Sequence, residues 1–176
     1  MDLVPIIQAH VARCAITPSA ARRQGAAGVV QAARSFLAQL DLQLFGNPNP
    51  GLFSKALEAE TVRLGSSLPK LARSWGLSRK LLNIFLRDAL YNRHLSAHYG
   101  LGSTEHLLEL PLDSITGRCL REIAGRGRLP AWSGVKQLTP MDSAEYQAVA
   151  LGHAQAIGVA RVHLDALWWA RPDELR

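Results

Sequence analysis

Cysteine is nearly absent: Cys14 and Cys119 are the only two in 176 residues, too few and too far apart in sequence for a disulfide framework. No apolar run approaches the ~20 residues needed to span a bilayer. The amino-terminal stretch lacks a signal-peptide layout. These absences predict a reduced protein of the cytoplasm with no membrane partner. Alternating strand patterns are missing too, apart from the few residues of "LLELPL" at 107 to 112. There is no internal repeat and no dinucleotide fingerprint, and the turn "NPNPG" carries no phosphate-loop lysine. Acids are the scarcer charge. Fourteen Asp and Glu against 20 Lys and Arg give a formal charge of +6 and a pI near 9.9, which favours polyanions, nucleic acid first.

Hydrophobic residues make up 48% of the chain, enough to bury a core as a single domain over 1–176, built as two closely packed lobes. The pattern is all-α. Thr17 and Pro18 resemble an N-cap and N1 proline, opening an Ala-rich stretch that runs to Phe45, with Val30, Ala33, Phe36, Leu37 and Leu40 at helical spacing. Further helices are expected over 52–63, 68–74 and 78–98, the last with Leu81, Phe85, Leu86, Ala89 and Leu90 as its apolar stripe. Asp113 opens another helix, Thr139 with Pro140 and Asp142 caps one that runs to Ile157, and "VHLDALWWA" forms a short last one. The two cysteines are expected in the core.

The stretch "GLSRKLLNIF" at 76 to 85 places Arg79 and Lys80 beside an expected helix start, where the helix's own partial positive charge disfavours cations. With "LPKLARSW" before it, this reads as a helix-hairpin-helix whose tight turn "GLS" points backbone N–H groups at a phosphate. A lysine there, beside Arg79 and the helix end, is expected to have a lowered pKa and a nucleophilic amine. Thirty-three positions later stands Asp113. An amine and an ionised carboxylate suit cleavage of an N-glycosidic bond: the amine attacks the anomeric carbon, and the carboxylate supports the oxocarbenium-like charge that develops.

These segments, "WGLSRKLLNIF" and "LPLDSI", resemble the hairpin lysine and the following aspartate of the helix-hairpin-helix DNA glycosylase superfamily, most closely its archaeal 8-oxoguanine DNA glycosylase branch. The likeness covers about residues 68–124. It implies Lys80 as nucleophile, Asp113 as catalytic carboxylate and Gly76 as the first hairpin glycine; Ser78 departs from the family, which commonly has a second glycine there. Near the carboxyl end the branch holds the flipped base with an Asp and a Trp one helical turn apart, a spacing that Asp165 and Trp169 share. Trp168 joins them as a substrate-binding candidate. A phosphate-contacting role is expected for Gly76, Ser78, Arg79 and Lys136. The expected activity is removal of a damaged or modified base from double-stranded DNA by a monomer without cofactor or metal. β-Elimination at the resulting Schiff base would add lyase activity. The substrate is either oxidised guanine, in DNA repair, or a modified cytosine of phage DNA such as a glucosylated hydroxymethylcytosine, in antiviral defence.

Plainer roles compete at each position. Lys80 could be a solvated surface residue, Asp113 an N-cap, and Asp165 with its tryptophans a capped helix with core aromatics. Lys136 is a second, weaker candidate nucleophile because it follows Asp113. His94 and His98 have chelating i, i+4 spacing but no third ligand, and read as a solvated pair. Ten of the 20 basic residues lie between 70 and 128 against five acids, Asp88, Glu105, Glu109, Asp113 and Glu122, which concentrates charge around the expected site. The rival class is a non-catalytic helical DNA- or RNA-binding module.

Overall fold

A computed structural model describes residues 2–21 and 27–169. Among these residues the protein is all-α, with eight α-helices, short 3-10 segments and no strand. The helices are α1 (Val4–Ala15), α2 (Val29–Leu37), α3 (Pro50–Ser67), α4 (Trp75–Tyr91), α5 (Arg93–Tyr99), α6 (Ser114–Ala124), α7 (Pro140–Ala156) and α8 (Leu164–Trp169). None of the described helices is long and apolar enough to cross a membrane.

Two buried clusters hold these helices. The larger gathers residues from α1 to α5, with Phe45, Leu77, Leu81, Leu82, Phe85 and Leu86 at its centre; the smaller joins Leu110, Leu112 and Leu120 to Tyr146, Ala150, Ala154 and Leu164. Trp132 packs on both. α4 passes through the larger cluster and buries seven apolar side chains, Leu77, Leu81, Leu82, Ile84, Phe85, Leu86 and Ala89. At about 1.5–3 kcal/mol for each large one, that burial fixes the rotation of α4 and so decides which way its charged residues face.

Several boundaries differ from those expected. α1 was not foreseen, and Thr17 caps no helix: its hydroxyl pairs with that of Ser19 at 2.7 Å, and its carbonyl accepts from Ala20 N in a turn. Residues 22–26 of the expected Ala-rich helix, and Ala170 of the last one, lie outside the described residues. The expected helix over 68–74 is a 3-10 turn at Lys70–Ala72. α4 begins at Trp75, because the Ser74 hydroxyl accepts from Leu77 N; "GLS" is therefore the first turn of α4 and not a hairpin turn. The long helix expected to His98 breaks at Asn92, whose side chain accepts from His94 N and Leu95 N and starts α5. Cys119 is buried as expected, but Cys14 is exposed.

"LLELPL" forms no strand because side chains satisfy its backbone. The Gln147 amide donates to the Leu110 carbonyl and accepts from Leu110 N, at 2.7 and 3.1 Å. The Arg161 guanidinium donates to the carbonyls of Leu107 and Leu108. This bracing delivers the chain in extended form to Asp113, where α6 starts.

Candidate active site

Lys80 lies on the second turn of α4 with its side chain largely enclosed, 11% exposed. Its ammonium nitrogen donates to the Ala20 carbonyl at 3.1 Å and sits 3.8 Å from Oδ2 of Asp113. Burial pushes its pKa below the ordinary lysine value, with the Asp113 carboxylate opposing the shift. The leading cause is burial, where the helix end and Arg79 were expected.

Asp113 serves two purposes at once. Oδ1 accepts from the N–H groups of Ile115 and Thr116, and the Thr116 hydroxyl accepts in turn from Asp113 N, which completes a capping box. Oδ2 is left to face Lys80. The N-cap and the charge partner are thus one residue, with one oxygen for each task.

Both groups line a cavity of about 160 Å³, shared with Asp165 and Trp169 of α8, Ile84 and Arg87 of α4, Pro111, and Ala15, Thr17, Ser19 and Ala20 from the amino-terminal end. Four residues singled out in the sequence, Lys80, Asp113, Asp165 and Trp169, therefore meet in one place although they span 90 positions. Asp165 is 4% exposed and ion-paired to Arg87, whereas Trp169 is 58% exposed at the cavity wall. Trp168 turns away. It packs on the smaller cluster and stacks on His153 at 6.2 Å between ring centroids.

The residues expected to meet phosphate are placed differently. Gly76 is buried, and a Cβ added to it would fall 2.1 Å from the Val135 carbonyl oxygen and 2.8 Å from Leu138 Cβ. The glycine is needed for helix-to-loop packing, not for an open backbone. Ser78 is fully buried and its hydroxyl donates to the Ser74 carbonyl. Arg79 faces inward: Nη1 donates to the Thr61 hydroxyl at 2.8 Å, Nη2 and Nε lie 3.2 Å from Glu58 and Glu109, and the guanidinium stacks on Trp75. Lys136 reaches the Leu71 carbonyl at 3.4 Å, beside the exposed Lys70, Leu71 and Arg73. Of the ten basic residues between 70 and 128, only Lys80 and Arg87 line the cavity. His94 and His98 are exposed on α5, and no group of three metal-ligating side chains occurs among the described residues.

Sequence inspection missed the Thr17–Ala20 turn and Arg87. Nothing local marks the turn, which reaches Lys80 across 60 positions. Arg87 did carry a signal, for Lys80, Ile84 and Arg87 stand at i, i+4 and i+7 on one face of α4. Set against known proteins, the chain matches no family model, no curated protein and no solved structure. Its own cavity chemistry therefore has to carry any functional assignment.

Proposed function

We propose that the protein is a DNA glycosylase that flips a damaged or modified base out of duplex DNA and releases it by lysine attack. One observation carries this: the enclosed, pKa-lowered amine of Lys80 stands 3.8 Å from a carboxylate, in a cavity walled by an indole. The neutral amine attacks the anomeric carbon, the N-glycosidic bond breaks, and the base leaves with the bonding electron pair and takes up a proton. Asp113 supports the positive charge that builds on the sugar. Loss of a proton from the attacking nitrogen and opening of the sugar ring give a Schiff base, from which β-elimination would cut the strand. The base would stack on Trp169.

The duplex would approach over the exposed basic positions of the 70–73 segment and Lys136. The α3–α4 pair, joined through Leu68–Ser74, supplies the helix-hairpin-helix in this account, with its turn earlier in the chain than "GLS". The two apolar clusters would be its two lobes. The excised base is an oxidised guanine or a bulky modified cytosine.

The test is borohydride trapping on duplexes carrying 8-oxoguanine or glucosylated hydroxymethylcytosine, beside the same chain with Lys80→Gln. A covalent adduct that disappears with Lys80→Gln is expected. Binding without an adduct on any substrate would make the protein a non-catalytic nucleic-acid-binding module. Asp113→Asn keeps the capping oxygen and removes the charge, so it should fold normally and lose about 10²-fold or more in rate.

A further inference from the structure

Away from the Lys80 cavity, three side chains from separate parts of the chain are joined end to end. The Tyr91 hydroxyl lies 2.8 Å from His163 Nδ1, the two rings are within 14° of parallel, and His163 Nε2 closely contacts Glu105 Oε1. A carboxylate accepts and does not donate, so Nε2 carries the proton, Nδ1 keeps its lone pair, and the Tyr91 hydroxyl donates to Nδ1. Burial pushes the Tyr91 phenol above the ordinary tyrosine value, with the Arg87 cation opposing. Its oxygen therefore becomes a nucleophile only as a base removes its proton. His163 stands where that base has to be, and Glu105 orients it and faces the charge it gains. Tyr91 is exposed, so a reagent can reach it. It ends α4, about 16 Å along the axis from Lys80, which makes this a separate site. His163 and Glu105 also line an open groove of about 610 Å³ with Gly102, His106, Gln155 and Val159, and no lysine or arginine lines it among the described residues.

We propose that Tyr91, His163 and Glu105 form a second nucleophilic site, which takes the acyl group of a small, uncharged, activated ester onto the Tyr91 oxygen. The oxygen attacks the carbonyl carbon while His163 Nδ1 takes the phenolic proton, and Glu105 supports the imidazolium that results. The tetrahedral intermediate then collapses: the bond to the leaving group breaks, and the leaving group departs with the electron pair and takes the proton back from Nδ1. Transfer onto a phenol is favourable only from a leaving group about as acidic as phenol or more so, with a pKa of about 10 or lower. The donor is therefore an aryl ester or a thioester and not an alkyl ester. The absence of lysine and arginine from the groove lining favours an uncharged donor over a phosphoester. This site stands whether or not Lys80 is the nucleophile of a glycosylase.

The probe is p-nitrophenyl acetate, added to the full chain, quenched with acid over a time course and mapped by peptide mass spectrometry. Acetyl transfer to Tyr91 is expected, well ahead of transfer to Tyr99, whose hydroxyl meets only the Gln8 amide oxygen, at 3.4 Å. His163→Gln removes the base and should slow labelling of Tyr91 by about 10²-fold or more. Glu105→Gln keeps the side-chain shape, removes the charge that supports the imidazolium, and should slow it to a lesser degree. Should His163→Gln fail to fold, Glu105→Gln carries the comparison. Labelling of Tyr91 should persist in Lys80→Gln, which removes a competing amine and keeps this result distinct from the fate of the lysine chemistry. No acetyl group on Tyr91, equal labelling of Tyr91 and Tyr99, or an unchanged Tyr91 rate in the folded His163 or Glu105 variant overturns the proposal.

Discussion

Arg79 and Lys80 are neighbours on α4, and the helix turns them onto different surroundings. Arg79 meets two carboxylates, a hydroxyl and an indole. Lys80 meets one carboxylate at 3.8 Å and a carbonyl, beside open space. The Arg79 side is built like a structural ion-pair network, in which charge is answered by charge. The Lys80 side is under-compensated: burial weakens the ammonium form more than Asp113 supports it. Two basic residues in a row thus say little about function until the helix rotation is known, because the same charge is braced by carboxylates on one face and borders a cavity on the other.

The sharpest way to break this contrast is to remove each cation. Lys80→Gln should abolish base release while leaving duplex affinity nearly intact, since one cation among many carries a small share of phosphate binding; normal excision by this variant would end the nucleophile assignment. Arg79→Met should do the reverse and cost stability. Glu109 is only 16% exposed and would lose its cation, whereas Glu58, at 47%, is already well solvated. The expected loss is about 3 kcal/mol, the low end for breaking a buried pair, or a fall in Tm of roughly 6–12 °C. An unchanged melting curve would mean that Arg79 is not the structural member of the two.

How far these faces could be read in advance depended on the range of the interactions. The helical class, the capped starts at Asp113 and Thr139, and the core stripe Leu81, Phe85, Leu86 and Ala89 were legible because capping and periodicity are local. The start of α4 was misplaced by three residues because Ser74 caps it as well as Ser78 could have. Gly76 was read as an open turn because a glycine packed under a distant backbone and a glycine in a hairpin look the same in sequence; only the Val135 carbonyl distinguishes them. The candidate site was half legible. Lys80, Asp113, Asp165 and Trp169 were each visible by type and spacing, but the Ala20 carbonyl that holds the Lys80 amine is a backbone group and has no residue type to find.

Trp168 and Trp169 repeat the contrast on α8 with smaller stakes. Trp169 is mostly exposed beside the cavity, so Trp169→Ala should slow excision by about ten- to a hundredfold through lost stacking and leave Tm almost unchanged. Trp168 packs on the smaller cluster, so Trp168→Ala should lower Tm with near-normal activity per folded molecule. Side-by-side melting and single-turnover assays decide this, and a reversal of the two phenotypes would move the base-stacking role to Trp168.

The smallest expected effect is a difference in how stability depends on pH, and it tests the Lys80 environment without any substrate. Lys80 has a folded-state pKa below 10.5, the value it regains on unfolding. Between those two values the unfolded chain holds a proton that the native chain lacks, so this residue makes stability rise with pH across that window, by at most roughly 1.4 kcal/mol per pH unit. Below the folded-state pKa both states are protonated and the slope vanishes. Tyr91, Tyr99 and Tyr146 have raised values and pull the other way near pH 10, because the native state then holds the extra proton. They contribute equally to the natural chain and to Lys80→Met, so the difference between the two unfolding curves isolates the lysine. That difference should grow in favour of the natural chain as pH rises towards 10.5. Parallel curves would show an amine as well solvated as any on the surface, and would remove the physical basis for the proposed nucleophile.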